Sequence, residues 1–160
     1  MARNPSDTTV TVSVLDRLID REPSASAEPP LGHAAAERLL RASVKRDLEW
    51  LLNTRRIAVP PSENMTELNR SVYCYGLPDF TAYGVRSGGD RAMLLSSLAQ
   101  AIRLYEPRLT DVRVVPAEED NGSVHRLHFR IEAMLKMDPA PEPISFDTVL
   151  ELNSGGYQIK

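Results

Sequence analysis

Lysine is almost missing from this chain of 160 residues. Lys45, Lys136 and Lys160 stand against sixteen arginines, and with 22 acidic residues the formal net charge is −3. Such a balance lacks the electrostatic footprint of a protein that binds nucleic acid or anionic lipid. Cysteine is scarcer still. Cys74 alone excludes an intrachain disulfide or a cysteine-based zinc site, and between Tyr73 and Tyr75 it reads as a small hydrophobe. No apolar stretch approaches the roughly 18–20 residues of a membrane span. The first residues are polar and acidic where a signal peptide would carry an apolar run, so the expectation is a soluble, cytoplasmic protein without membrane insertion. The three histidines do not cluster. His33 stands apart, and His125 and His128 fall on opposite faces of one strand pattern. Glycine-rich phosphate loops, GxSxG and HExxH are missing too, so no cofactor and no metal are expected.

What is present is ordinary globular material, 42% hydrophobic and 26% charged, long enough for one domain with a real core. The arginine surplus suits a partner-rich surface of planar, bidentate contacts, although genome composition produces the same bias.

Two regions emerge: residues 1–32 as a tail and residues 33–160 as the domain. Within the tail, residues 12–19 (VSVLDRLI) carry Val14, Leu15, Leu18 and Ile19 as an apolar face of about two helical turns. So short a helix is not stable alone in water and needs a surface, either its own domain or a partner. Residues 21–32 (REPSASAEPPLG) form a Pro/Ala/Ser linker with no periodicity.

The domain opens on a helix predicted over 34–56, with Leu40, Val44, Leu48, Leu51 and Leu52 as its buried seam and Arg55 and Arg56 in the last turn. Trp50 lies beside that seam, as a core-edge anchor or partly exposed. Residues 66–72 suggest one or two turns, and Tyr73–Phe80 a loop, with Gly76 and Pro78-Asp79 as turn formers. Ser87 and Asp90 resemble a capping box for a second long helix. Its amphipathic part, residues 93–105, carries Leu94, Leu98, Ile102 and Tyr105 on one face.

After Pro107 the period changes to two. Residues 109–116 read as a valine-rich strand. Leu127, Phe129, Ile131, Ala133 and Leu135 alternate with polar residues, and Asp120-Asn121-Gly122 signals the hairpin between these strands. Ile144, Phe146, Thr148, Leu150 and Leu152 make a third strand, and Tyr157–Ile159 a short fourth. The prediction is an α+β fold: two long helices packed on a three- to four-stranded antiparallel sheet, with a tethered N-terminal amphipathic helix. No internal repeats are visible.

The junction Glu106-Pro107-Arg108-Leu109 is the odd feature. A carboxylate at a helix C-terminus meets the negative end of the macrodipole, and Pro107 forces the helix to stop. Arg108 relieves the first problem if the proline turn brings it to Glu106. Glu106 and Asp111 also invite comparison with a glycosidase carboxylate pair, but the adjacent arginine argues for an ion pair that pins the turn.

These residues carry a resemblance as well. Residues 13–18 (SVLDRL), 46–56 (RDLEWLLNTRR), 75–80 (YGLPDF) and the intact EPRL at 106–109 occur in the order found in TssE, the baseplate subunit family of type VI secretion systems. That family is related to the phage T4 baseplate wedge product of gene 25. The resemblance implies a non-enzymatic wedge component beside TssF and TssG, near TssK, docked at the cytoplasmic face of the inner membrane. It further implies a sheath-like surface on which the first TssB–TssC ring starts. Glu106 and Arg108 take the family's polar pair, and Pro107 and Leu109 the turn and its anchor, as a protein-interaction motif. The family has also carried a lysozyme-like label, which makes glycan hydrolysis the competing expectation.

Overall fold

The structure, a computed structural model, describes residues 14–18, 33–79, 88–117, 126–138, 140–151 and 154–159. Among the described residues, four α-helices precede four strands: α1 (Val14–Leu18), α2 (His33–Asn53), α3 (Thr66–Asn69) and α4 (Gly88–Tyr105), then β1 (Leu109–Pro116), β2 (Arg126–Leu135), β3 (Glu142–Glu151) and β4 (Gly156–Ile159). The strands form one antiparallel meander in the order β1-β2-β3-β4. The predicted α+β architecture is what the chain adopts. The hairpin residues 120–122, the linker 21–32, His125, Ser87, Phe80, Leu152 and Ile19 lie outside the described residues.

The core follows the predicted seams. Leu40, Val44, Leu48, Leu51 and Leu52 of α2 and Leu94, Leu98 and Ile102 of α4 are buried against Leu127, Phe129, Ile131, Ala133 and Leu135 of β2. Ile144, Phe146 and Leu150 of β3 complete the same cluster. Burial of this kind contributes about 25 cal/mol per Å² of apolar surface and drives both helices onto one face of the sheet.

Three expectations are corrected. First, α2 ends at Asn53, three residues early, so Arg55 and Arg56 lie beyond its last turn. The reason is competition for the backbone. Asn53 spends its side chain on β4, Arg55 bridges to Leu77, and Arg56 N–H donates to the Leu77 carbonyl at 2.9 Å. Gly76 makes that bridge possible: its φ is +105°, and a Cβ there would run into the Thr54 carbonyl. Second, the 73–80 loop begins inside a short 3₁₀ turn, Val72–Cys74, capped by the Ser71 hydroxyl. Third, β1 is not regular. Between Thr110 and Arg113 its register slips by one residue, with Asp111 at φ +51°. This bulge puts Leu109 and Val112 on the same buried face despite their odd spacing.

Candidate functional site

The helix-to-strand junction is where the residues singled out by sequence converge. Glu106 follows the last turn of α4, and its N–H still donates to the Ile102 carbonyl at 2.8 Å. Pro107 then blocks continuation, and the Leu109 N–H closes the turn onto the Glu106 carbonyl at 3.1 Å. The turn folds Arg108 back over Glu106. Its Nε donates to Oε1 at 2.6 Å, its backbone N–H donates to the same oxygen at 3.2 Å, and Nη2 donates to Oε2. Glu106 is only 3% exposed. Both carboxylate oxygens are thus occupied by one guanidinium, which resolves the conflict with the helix dipole.

The pair does not stop at the turn. Arg108 also donates to Asp47 Oδ2 at 2.6 Å and to Ser43 Oγ at 2.9 Å, both on α2. Asp47 Oδ1 in turn accepts from Arg46 Nε at 3.0 Å and Nη2 at 2.8 Å. Arg46 reaches Asp16 of α1 through Nη1 at 2.6 Å and Nη2 at 3.2 Å, and the Ser43 hydroxyl donates to Asp16 at 2.5 Å. Acids and bases therefore alternate in a ladder, Glu106–Arg108–Asp47–Arg46–Asp16, that ties the α4–β1 turn to α2 and α2 to α1. Burial disfavours the charge on Arg108, yet hydrogen bonding and attraction from Glu106 and then Asp47 outweigh it, and its pKa is raised. Arg46 is raised as well, chiefly by its hydrogen bond to Asp16. Its guanidinium lies 5.1 Å from the ring centroid of Trp50, which is exposed. Of the two readings of Trp50, exposure is the one realised.

Other side chains lock the turn from outside. Lys136 Nζ donates to the Pro107 carbonyl at 2.6 Å, the Lys136 N–H donates to the Arg108 carbonyl at 2.8 Å, and Leu109 is buried as the anchor. Asp111 does not join Glu106. It sits exposed on the β1 bulge. A cleft of about 300 Å³ does open between α4 and the 56–78 segment, lined by residues such as Arg56, Cys74, Gln100 and Tyr105. Neither carboxylate of the supposed pair lines it. Among the described residues no group of three His, Cys, Asp or Glu side chains is placed to hold a metal.

In α1, Val14, Leu15 and Leu18 are 72%, 39% and 76% exposed, and Asp16 carries hydrogen bonds that join the helix to α2. Sequence reasoning missed Asp16, Ser43, Arg46 and Asp47 as ladder members. A signal was there: Ser43 and Asp47 extend the spacing of Ala36 and Leu40, polar residues in a line that begins apolar.

Two long helices over a four-stranded meander, pinned at the helix-to-strand turn by a partly buried charge ladder, define an α+β domain built around a rigid junction. Residues 38–140, well over half the chain, match the family described as baseplate wedge protein gp25. The chain belongs to that family of structural baseplate proteins. No curated protein matches it at a significant level.

Proposed function

We propose that this chain is the TssE-type subunit of a type VI secretion baseplate, a non-enzymatic wedge component on which the contractile sheath starts to polymerise. The observation that carries this reading is the state of Glu106: buried, with both oxygens bonded by Arg108, it is built to set an angle rather than to pass a proton to a substrate. The ladder holds helix and sheet as one rigid body. A rigid body with an exposed strand edge lets a first sheath subunit pair without the ordering cost of nucleation.

The available edge is specific. On the β1 side the bulge, Pro116, and the Arg103 guanidinium bonded to the Val112 carbonyl at 2.6 Å blunt the strand. On the β4 side, Asn53 donates to the Tyr157 carbonyl at 3.0 Å and accepts its N–H at 2.9 Å, closing the edge with a side-chain amide. β4 pairs with β3 only over Thr148–Glu151. Because Tyr157 turns its backbone away from β3, strand alternation aims the backbone groups of Ser145 and Asp147 away from β2, toward the side where β4 would extend. Among the described residues nothing pairs with them. A strand from the TssB–TssC sheath fits there. TssF and TssG take the wedge faces, with TssK nearby, in a cytoplasmic baseplate at the inner membrane. The exposed Val14, Leu15 and Leu18 serve wedge docking; Ile19 belongs to the same proposed face but lies outside the described residues.

The test is Ser145→Pro. Proline removes the outward N–H without touching the β2 ladder, so the variant folds normally by circular dichroism but supports few or no sheaths in cells. Wild-type sheath numbers with this variant would overturn the edge assignment. Release of muropeptides from peptidoglycan by the purified protein, lost in Glu106→Gln, would overturn the non-enzymatic reading.

A further inference from the structure

The attachment of α1 is unusual in kind. Five residues are too few to hold helical structure unaided, and two of the three apolar side chains described in it, Val14 and Leu18, are largely exposed. Among the described residues, the hydrogen bonds that join α1 to the domain converge on one carboxylate. Asp16 is gripped in fork geometry by Arg46 and closed from the side by Ser43, which is itself 4% exposed. Arg108 donates to the same Ser43 oxygen, so the cradle is pre-oriented by the rest of the ladder. A site of this form recognises a carboxylate and reads little else of the helix that carries it. Trp50 continues the surface of α2 past Arg46, and the residue is 50% exposed.

We propose that the Ser43–Arg46 cradle is an exchangeable receptor for a carboxylate-bearing amphipathic helix, with α1 as its resident occupant. A helix of the same kind on a partner protein takes the place of Asp16, packs its apolar side against Trp50, and releases α1. Charge complementarity selects the occupant. The cradle contributes the Arg46 cation and a hydroxyl that donates, a combination matched by an acidic side chain and mismatched by an amide or a base. Only fourteen residues, 19–32, separate α1 from α2 in the sequence, so the resident carboxylate competes within the chain, at an effective concentration on the order of millimolar. Exchange therefore demands a partner that adds contacts of its own. The released α1 then offers Val14, Leu15 and Leu18 elsewhere. Exchange at the cradle does not depend on the baseplate assignment.

The experiment uses the full chain and a capped synthetic peptide of residues 12–20, followed through the fluorescence of Trp50, the only tryptophan. Asp16→Ala vacates the cradle in cis. The peptide is expected to bind this variant at least about tenfold more tightly than wild type, because the tethered competitor is gone. A peptide with asparagine at the position of Asp16 is expected not to bind, and Arg46→Met in the Asp16→Ala chain is expected to abolish binding. Equal affinity of wild type and Asp16→Ala, equal binding of the two peptides, or no binding to Asp16→Ala would each overturn the proposal. If the Arg46→Met chain does not fold, the comparison of the two peptides decides.

Discussion

Arg108 bonds Glu106 within the turn and Asp47 and Ser43 on α2, and its neighbours predict an asymmetry. Removing it leaves Glu106 buried and charged with no cation, whereas removing Glu106 leaves Arg108 bonded to Asp47 and Ser43. Loss of one partner from a buried ion pair costs about 3–5 kcal/mol when the remaining charge has no other counter-ion. Arg108→Ala should therefore reach that range in urea denaturation, and Glu106→Gln should cost distinctly less. Equal losses would mean that Asp47 does not hold Arg108 in solution. Arg108→Lys should fall between, because an ammonium cannot bond Glu106, Asp47 and Ser43 in the fork geometry seen here.

Among the strands, β4 is the shortest, and its outer edge rests on a single side chain. Asn53 supplies both bonds to the outer edge of Tyr157, and among the described residues no backbone does. Asn53→Ala should cost about 1–3 kcal/mol for two bonds to a partly buried edge, and amide exchange should accelerate at Tyr157 before it does in β2. Unchanged exchange at Tyr157 would contradict the capping role. This scale is also where sequence and structure part. The seams of α2 and α4 and the alternation of β2 were legible because burial imposes periods of 3.6 and 2 directly on residue type. The early end of α2 was not, since it depends on Asn53 meeting a strand about a hundred residues away. The bulge at Asp111 hid in a run short enough to pass for a regular strand, and the ladder hid because each member looks like a surface charge until the helices are packed. The Glu106–Arg108 contact was legible, being two residues apart across a forced stop.

For the whole molecule, pH offers a test of how firmly the sheet and its helices are held. Burial pushes the Tyr157 phenol above its usual value near 10, and Tyr75 moves the same way through burial first and then the nearby Asp47 and Glu106. A raised folded pKa means that the native state holds its protons longer than the unfolded chain. The stability from these phenols is complete below about pH 10 and is lost as pH rises through the folded values. Alkaline unfolding should therefore begin above pH 10, and Tyr157→Phe should flatten that loss. An unchanged alkaline profile in Tyr157→Phe would show that the phenol is solvated.

In the role proposed for this chain, the EPRL turn works by geometry, holding helix and sheet at the angle a sheath subunit needs. The most direct measurement is the number of sheaths assembled in cells whose only copy of this chain carries Arg108→Lys, at an expression level and thermal midpoint checked beforehand. Folded protein with few or no sheaths is the predicted result. Folded protein with wild-type sheath numbers would mean that the geometry of the turn is not what sheath assembly needs.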